Sequence, residues 1–140
     1  MISDTLIREM ESIVGKEHVS KSRTISELYS YDASLAKGKP GVVVFPADGE
    51  QVARVVRAAR RAEVAFVPRG FGTNLSGGTI MADQGLIICL ARLNRILGIY
   101  PESRYAVVQP AVTNLELQDA TTRQKKEEGK KKKKKTSGAT

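Results

Sequence analysis

Apolar positions recur with a helical period in two stretches, residues 3–14 and residues 49–62. Each pattern places its apolar residues on one face of a helix. These residues are Leu6, Ile7, Met10, Ile13 and Val14 in the first stretch, and Val52, Val55, Val56 and Ala59 in the second. Ser3 and Asp48 are suitable N-cap residues, and Gly15 follows the first stretch as a stop signal. The pattern therefore predicts two amphipathic helices.

Three short apolar runs, residues 41–45, 64–67 and 85–90, have the β-branched composition of buried strands. The first two flank the second helix through short joins, which predicts parallel strands with a right-handed crossover. Residues 96–100 and 105–109 flank a turn-like Pro-Glu-Ser-Arg segment and predict a hairpin. The chain is therefore expected to have an α+β fold, in which a βαβ unit is followed by short strands.

A further helix is predicted near residue 113, where Thr113 and Glu116 have the spacing of a capping box. Its apolar pattern ends at Ala120, and residues 121–135 contain no apolar residue. Because blocks of like charge repel, residues 121–140 are expected to form a disordered lysine-rich tail. The abundant Lys, Glu, Arg and Gly of this tail can all be written with purine-only codons. We hypothesise that the tail is the product of a frameshift or an interrupted gene.

The formal charge of +8 on the 140 residues is concentrated at one end of the chain. Residues 123–140 hold nine cations and two acids, a net +7, whereas residues 1–122 hold 14 cations and 13 acids, a net +1. The basicity is therefore not a property of the predicted fold. With 41% hydrophobic residues the chain can bury a core, which excludes full disorder. The length fits one domain or part of a larger one.

Several classes of protein are excluded by composition. Cys89 cannot form an internal disulfide, and together with the single histidine, His18, it cannot form a zinc cluster, so no metal site is predicted. No apolar run is long enough for a membrane span. Asp4 and Glu9 lie where a signal peptide would be basic and then apolar, so a cytoplasmic location is expected.

The chemistry of the sequence is concentrated in the loop 68–78, which reads Pro-Arg-Gly-Phe-Gly-Thr-Asn-Leu-Ser-Gly-Gly. It follows a predicted strand of the βαβ unit, where α/β proteins bind ligands. Its glycines allow backbone N–H groups to approach an anion, Thr73, Asn74 and Ser76 add side-chain donors, and Arg69 adds a positive charge. These features suit a phosphate or a pyrophosphate.

Neither of two common phosphate-binding motifs is satisfied by this loop. The dinucleotide-binding pattern G-x-G-x-x-G matches Gly70 and Gly72, but Leu75 occupies the position of its third glycine. In the Walker A pattern, Gly78 occupies the position of the phosphate-binding lysine. A glycine-rich surface turn that binds no ligand therefore stays an alternative for this segment.

The loop closely resembles the first FAD-binding loop of the vanillyl-alcohol oxidase flavoproteins, whose FAD-binding domain is of the PCMH type. The similarity is greatest to the branch that contains the glycolate oxidase FAD-linked subunit and D-lactate dehydrogenase. Further segments resemble family motifs in the same order, and together they cover about residues 1–120. They are Tyr31-Asp-Ala-Ser34, Val42-Val-Val-Phe-Pro46, Leu93-Asn-Arg-Ile96 and Val108-Gln-Pro-Ala-Val-Thr-Asn114, the last with Ala111 in place of the usual glycine.

The resemblance implies the first subdomain of an FAD-binding domain in a flavin-dependent 2-hydroxy-acid oxidase or dehydrogenase. Residues 1–40 would be an N-terminal helical and irregular segment, and residues 41–120 the first half of that domain. The implied cofactor contacts come from the glycine loop and from a second segment near the flavin or its ribityl chain. They are Arg69, Gly70, Phe71, Gly72, Thr73, Asn74, Ser76 and Gly77, with Gln109, Pro110 and Ala111.

No catalytic residue is predicted in this chain, because the family's second FAD-contacting subdomain and its substrate domain are expected to be missing. We therefore expect no turnover of glycolate or D-lactate by this polypeptide alone. In the full-length family the partners would be a small 2-hydroxy acid and an electron-transfer subunit. Two alternatives stay open: a polyanion-binding module acting through the lysine tail, without specific nucleic-acid recognition, and a non-functional fragment.

Overall fold

The computed structural model describes residues 2–34 and 36–137. Its helices are α1 (Asp4–Val14), α2 (Arg23–Leu28), α3 (Gly49–Arg61) and α4 (Asn114–Ser137), with a short 3-10 helix at Lys16–His18. Its strands are β1 (Val19–Ser20), β2 (Val42–Val44), β3 (Phe66–Arg69), β4 (Leu86–Cys89), β5 (Ile96–Tyr100) and β6 (Tyr105–Val108). The chain divides into two compact units, Met1–Leu93 and Asn94–Thr140.

The first unit is built on a four-stranded sheet in the order β1–β2–β4–β3. β2 and β3 both run parallel to β4, whereas β1 is antiparallel to β2. In the register of the sheet, Ile87 of β4 lies between Val43 of β2 and Val67 of β3. The predicted parallel arrangement is confirmed, but the two strands of the βαβ unit are not neighbours, because the later strand β4 lies between them.

Both faces of the central strand β4 are buried, as is usual for a parallel sheet. On one face Leu86 and Ile88 join the apolar residues of α1 and α3 in the larger hydrophobic cluster. On the other face Ile87 and Cys89 pack with Met81 in a second cluster. The period-2 alternation along β4 therefore supplies two cores at once, one on each face of the sheet.

The predicted caps of α1 and α3 are confirmed. The hydroxyl of Ser3 accepts a hydrogen bond from the Leu6 N–H at 3.2 Å, and Asp48 Oδ1 accepts from the Gln51 N–H at 2.8 Å. The side chain of Gln51 reaches back to the N–H of Ala47 at 2.7 Å, one residue earlier than in a standard capping box. These bonds satisfy N–H groups that have no partner inside a helix and set where both helices begin.

The second unit contains the antiparallel hairpin β5–β6, as predicted, and helix α4. The rings of Tyr100 and Tyr105 stack across the hairpin with centroids 4.7 Å apart. α4 begins with the predicted capping box, in which the Thr113 N–H donates to Glu116 Oε2 at 2.7 Å and the Glu116 N–H donates to Thr113 Oγ1 at 3.2 Å. The bonds from the backbone and hydroxyl of Thr113 lower the pKa of Glu116.

Helix α4 continues through Ser137, which corrects the prediction that the chain is disordered from Thr121 onward. The physical reason is intrinsic propensity, since Lys, Arg, Gln and Glu are all good helix formers and propagation from an existing capped turn adds one bond per residue. The remainder of the predicted tail, residues 138–140, lies outside the described residues. Within the described part of the chain, no helix is both long enough and apolar enough to cross a membrane.

Candidate functional site

The glycine loop begins where β3 ends, at the carboxyl edge of the parallel sheet. Residues 70–85 connect Arg69, the last residue of β3, to Leu86, the first residue of β4. Because β2, β3 and β4 are parallel, their carboxyl ends meet at this edge, which is the usual ligand-binding edge of such sheets. The sequence-predicted position of the loop is therefore confirmed.

Two of the loop glycines adopt a backbone conformation that favours glycine. Gly72 has φ of 70° and Gly77 has φ of 69°, in the left-handed region that L side chains rarely adopt. At Gly77 the chain turns back on itself, and the Ile80 N–H donates to the Gly77 carbonyl at 3.1 Å. Gly70 and Gly78 have open space around them and no positive φ. The loop therefore contains two turns whose backbone conformation favours glycine.

The loop contains backbone donors that find no acceptor in the part of the chain that the structure describes. Within residues 2–34 and 36–137, no acceptor takes a hydrogen bond from any backbone N–H between Phe71 and Gly78. The side chains of Thr73 and Ser76, in the middle of this segment, are exposed. N–H groups without a protein partner are normally satisfied by water or by an anionic ligand. The loop can therefore surround a phosphate-like group.

The guanidinium of Arg69 is buried beneath the loop and does not extend into solvent. It is only 6% exposed, its Nη1 donates to the Tyr29 carbonyl at 3.2 Å, and its guanidinium lies 5.0 Å from the centre of the Tyr29 ring. A Cβ atom at Gly72 would collide with this guanidinium. Gly72 is thus favoured by its φ, a side chain there would displace the guanidinium, and the charge of Arg69 acts on the loop from below.

Tyr29 links the arginine to the predicted buried cysteine. Its hydroxyl lies 3.4 Å from the Sγ of Cys89, and its ring meets Phe45 edge-on at 5.9 Å. Burial raises the pKa of Tyr29, and the hydrogen bond with Cys89 raises it further. Cys89 is buried, as predicted, and serves as a packing residue at the end of β4.

A buried carboxylate holds the far half of the loop. Asp32, which is 8% exposed, accepts hydrogen bonds from the Ser34 N–H at 2.7 Å, Asn74 Nδ2 at 2.8 Å and Thr79 Oγ1 at 3.2 Å. The bonds from Ser34, then those from Asn74 and Thr79, hold the pKa of Asp32 below its ordinary value, although burial acts in the opposite direction. Asp32 is therefore ionised at neutral pH.

Asn74, which the sequence suggests as a ligand donor, is already engaged within the protein. Its Nδ2 donates to Asp32, and its Oδ1 lies 2.9 Å from the hydroxyl oxygen of Thr79. Both ends of the amide are thus used to shape the loop. Thr73 and Ser76 contribute exposed hydroxyl donors within the loop.

The near half of the loop lines a cleft with the segment that follows α2. The cleft has a volume of about 570 Å³ and is bounded by the loop from Arg69 to Thr73 on one side and by residues 28–33 on the other. Tyr31 and Phe71 are 50% and 59% exposed at these walls. The structure therefore brings together most of the predicted loop residues, among them Phe71, and places Tyr31 on the facing wall.

The other predicted cofactor residues, Gln109 to Ala111, belong to the second unit. Gln109 Oε1 accepts from the Arg95 N–H at 2.8 Å, and the Gln109 N–H donates to the Arg95 carbonyl at 2.9 Å. This two-way pairing closes the base of the hairpin, and Ala111 is buried. A contact between these residues and FAD stays a prediction.

Asp32, Thr79 and Tyr29 are parts of the site to which the sequence assigned no role. Asp32 lies in Tyr31-Asp-Ala-Ser34, one of the segments that resemble family motifs. Of its hydrogen bonds, only the turn-forming bond with the Ser34 N–H is local enough to be expected from the sequence. Its bond to Asn74 spans 42 positions of the chain. No periodicity or spacing rule connects residues so far apart.

Comparisons with known proteins agree with this geometry. A sequence model described as an FAD binding domain matches residues 40–129. The glycolate oxidase subunit GlcD of Escherichia coli (strain K12) is 38% identical over 118 residues, which cover 84% of this chain and 24% of that protein. A probable mitochondrial D-lactate dehydrogenase of Danio rerio is 27% identical over 115 residues, covering 81% and 23%. The chain thus spans about a quarter of the length of the curated relatives it matches.

A solved structure extends the agreement to the fold. p-Cresol methylhydroxylase with substrate bound superposes with a TM-score of 0.77 at 22% identity, over 87% of this chain and 25% of that one. The fold and the glycine loop define the PCMH type of FAD-binding domain found in flavoprotein oxidoreductases. This chain belongs to the FAD-binding domain family, and its cofactor is FAD.

Proposed function

We propose that the loop from Arg69 to Gly77 binds the pyrophosphate of FAD in a flavin-dependent 2-hydroxy-acid oxidase or dehydrogenase. The observation that carries the proposal is the row of N–H groups between Phe71 and Gly78 for which residues 2–34 and 36–137 offer no acceptor, placed at the carboxyl edge of the sheet. A pyrophosphate is an extended anion whose oxygens can accept from several such donors. The named substrates of the relatives support the substrate class.

The residues present fit this group in charge as well as in shape. Arg69 places a cation under the turn at Gly72, in a buried position where screening by water is weak. The exposed hydroxyls of Thr73 and Ser76 can donate to phosphate oxygens beside the backbone groups.

When bound, FAD would supply the two-electron acceptor for oxidation of the substrate hydroxyl group. The role we assign to the residues of this chain is to bind and orient that cofactor, with Gln109, Pro110 and Ala111 as further contacts. A 2-hydroxy-acid substrate, an electron-transfer subunit and a cytoplasmic location belong to the same proposal. The alternative that the lysine-rich tail binds polyanions stays a prediction, because the side chains of residues 131–140 lie outside the part of the chain that the structure describes.

Titration of the chain with FAD, ADP and riboflavin, followed by calorimetry, tests the pyrophosphate role. We expect FAD and ADP to bind and riboflavin, which has no phosphate, to bind much more weakly. Gly77→Ala should weaken FAD and ADP about tenfold, because alanine is strained by about 1–2 kcal/mol in the left-handed region.

Gly78→Ala is the matched control, since the neighbouring glycine has open space and no positive φ. Its affinity for FAD should stay within about twofold of the unmodified chain. Equal binding of riboflavin and FAD, or equal losses in the two glycine variants, would contradict the proposal.

A further inference from the structure

We propose that Asp32 is a positioning residue that sets the conformation of the cofactor loop without contacting the cofactor. The inference rests on the proposed pyrophosphate role of the loop. Asp32 comes from the segment between α2 and β2, yet its side chain reaches the loop between β3 and β4. The segment 32–33 therefore acts as a clamp on the loop.

The clamp touches both halves of the loop. Asp32 binds Asn74 and Thr79, which lie on either side of the turn at Gly77. The next residue, Ala33, donates its N–H to the carbonyl of Gly72 at 3.1 Å, at the other positive-φ turn. Both positive-φ glycine turns are thus tied to one short segment.

The orientation of the Asn74 amide follows from its two partners. Because a carboxylate only accepts, Asn74 must point its Nδ2 at Asp32 and its Oδ1 toward Thr79. The single hydroxyl hydrogen of Thr79 then has an acceptor on each side, Asp32 Oδ2 at 3.2 Å and Asn74 Oδ1 at 2.9 Å. The three side chains form a closed network that fixes the path of residues 74–79.

A carboxylate suits position 32 because both of its oxygens accept. Oδ1 accepts from the Ser34 N–H, and Oδ2 accepts from Asn74 Nδ2 while it shares the Thr79 hydroxyl hydrogen with Asn74 Oδ1. An asparagine there would offer one acceptor oxygen and turn an NH₂ group toward a donor. Asp32 is largely buried, so water cannot fully replace a lost bond. The expected result of its loss is a loop that samples several conformations and must be ordered by the cofactor, which lowers affinity.

Asp32→Asn and Thr79→Val test the clamp from its two sides, with FAD affinity as the first measurement. Each should weaken FAD binding about tenfold through loss of preorganisation. Thr79→Ser keeps the hydroxyl, and Asp83→Asn removes an exposed carboxylate at the other end of the same connection. Both controls should bind FAD within about twofold of the unmodified chain.

Amide hydrogen exchange at Ala33, measured by NMR without FAD, is the second measurement. Because this N–H donates to Gly72, its exchange reports loop docking directly and should accelerate about tenfold in Asp32→Asn and Thr79→Val. Unchanged exchange in both variants would overturn the clamp, whether or not the chain binds FAD. Faster exchange with unchanged FAD affinity would show a structural bond without a positioning role. Failure of the unmodified chain to bind FAD would instead refute the proposed function.

Discussion

The two units of the chain differ in how much of their apolar surface is covered. In the first unit β4 is buried on both faces, and Ile87 at its centre has no exposed surface. In the second unit Leu97, Tyr105 and Leu115 are 58%, 52% and 67% exposed. A two-stranded hairpin is too small to bury its own side chains. A parallel sheet with helices packed on it buries the side chains on its covered faces. We infer that the first unit, which also carries the cofactor loop, provides most of the stability.

The largest effect that separates the units is expected from truncating a buried side chain in β4. Ile87→Ala should lower the free energy of unfolding by about 2–5 kcal/mol, because it leaves a cavity among Val43, Met81 and Cys89. The matched variant Leu97→Ala, in the exposed hairpin, should change it by less than about 0.5 kcal/mol. Denaturant unfolding of both variants measures the difference, and similar losses would refute our inference about where stability lies.

A smaller contrast is expected from the two helix caps. Asp48→Ala removes the acceptor of the Gln51 N–H and should cost about 1 kcal/mol of global stability. Thr113→Ala removes the corresponding bond in α4 and should lower helical circular dichroism without moving the main unfolding midpoint. A shift of that midpoint in Thr113→Ala equal to the shift in Asp48→Ala would show that the units unfold as one.

The stacked tyrosines provide a still smaller test within the hairpin. Tyr105→Leu should lose the ring stacking with Tyr100, worth about 0.2–1 kcal/mol for a cross-strand pair, and weaken only the second unit. Near-ultraviolet circular dichroism measures the lost aromatic coupling. Tyr31→Leu, which changes a half-exposed tyrosine of the first unit, controls for the loss of one chromophore. A lower midpoint for the first unit in Tyr105→Leu would contradict the assignment.

The smallest expected effect is a local opening of the loop in acid. Because the pKa of Asp32 is lower in the folded chain than its ordinary value of 3.8, its stabilising bonds are complete above that pH. The hydrogen bonds of Asp32 are lost as the pH falls through the lowered pKa that this residue has in the folded chain. The chemical shift of the Ala33 amide should therefore stay constant down to about pH 3.8 and change below it. The same transition in Asp32→Asn would assign it to another carboxyl group.

Local rules predicted most of the regular elements correctly. The helical periods around Met10 and Val55, the caps at Ser3 and Asp48 and the capping box at Thr113 are all present in the structure. These features depend on residues within about one turn of each other, so a sequence displays them directly. The short elements β1 and α2 were not predicted, because two and six residues carry too little periodicity to recognise.

At the end of α4 a local rule predicted disorder where the structure has a helix. The charge block after Thr121 predicted disorder, whereas the structure continues the helix through Ser137. Charge repulsion and helix propensity act in opposite directions on a run of lysines, and the pattern of charges alone does not decide between them.

The sequence by itself determined that this chain has an α+β fold, that a glycine loop follows its second parallel strand, and that the loop resembles an FAD-binding loop. Composition, period and residue type are sufficient for such conclusions because they reflect local backbone preferences. The tertiary structure alone decided that β4 lies between β2 and β3, that Arg69 is buried under Gly72, and that Asp32 holds Asn74. Each of these depends on contacts between distant segments, which packing selects and which local preference does not encode.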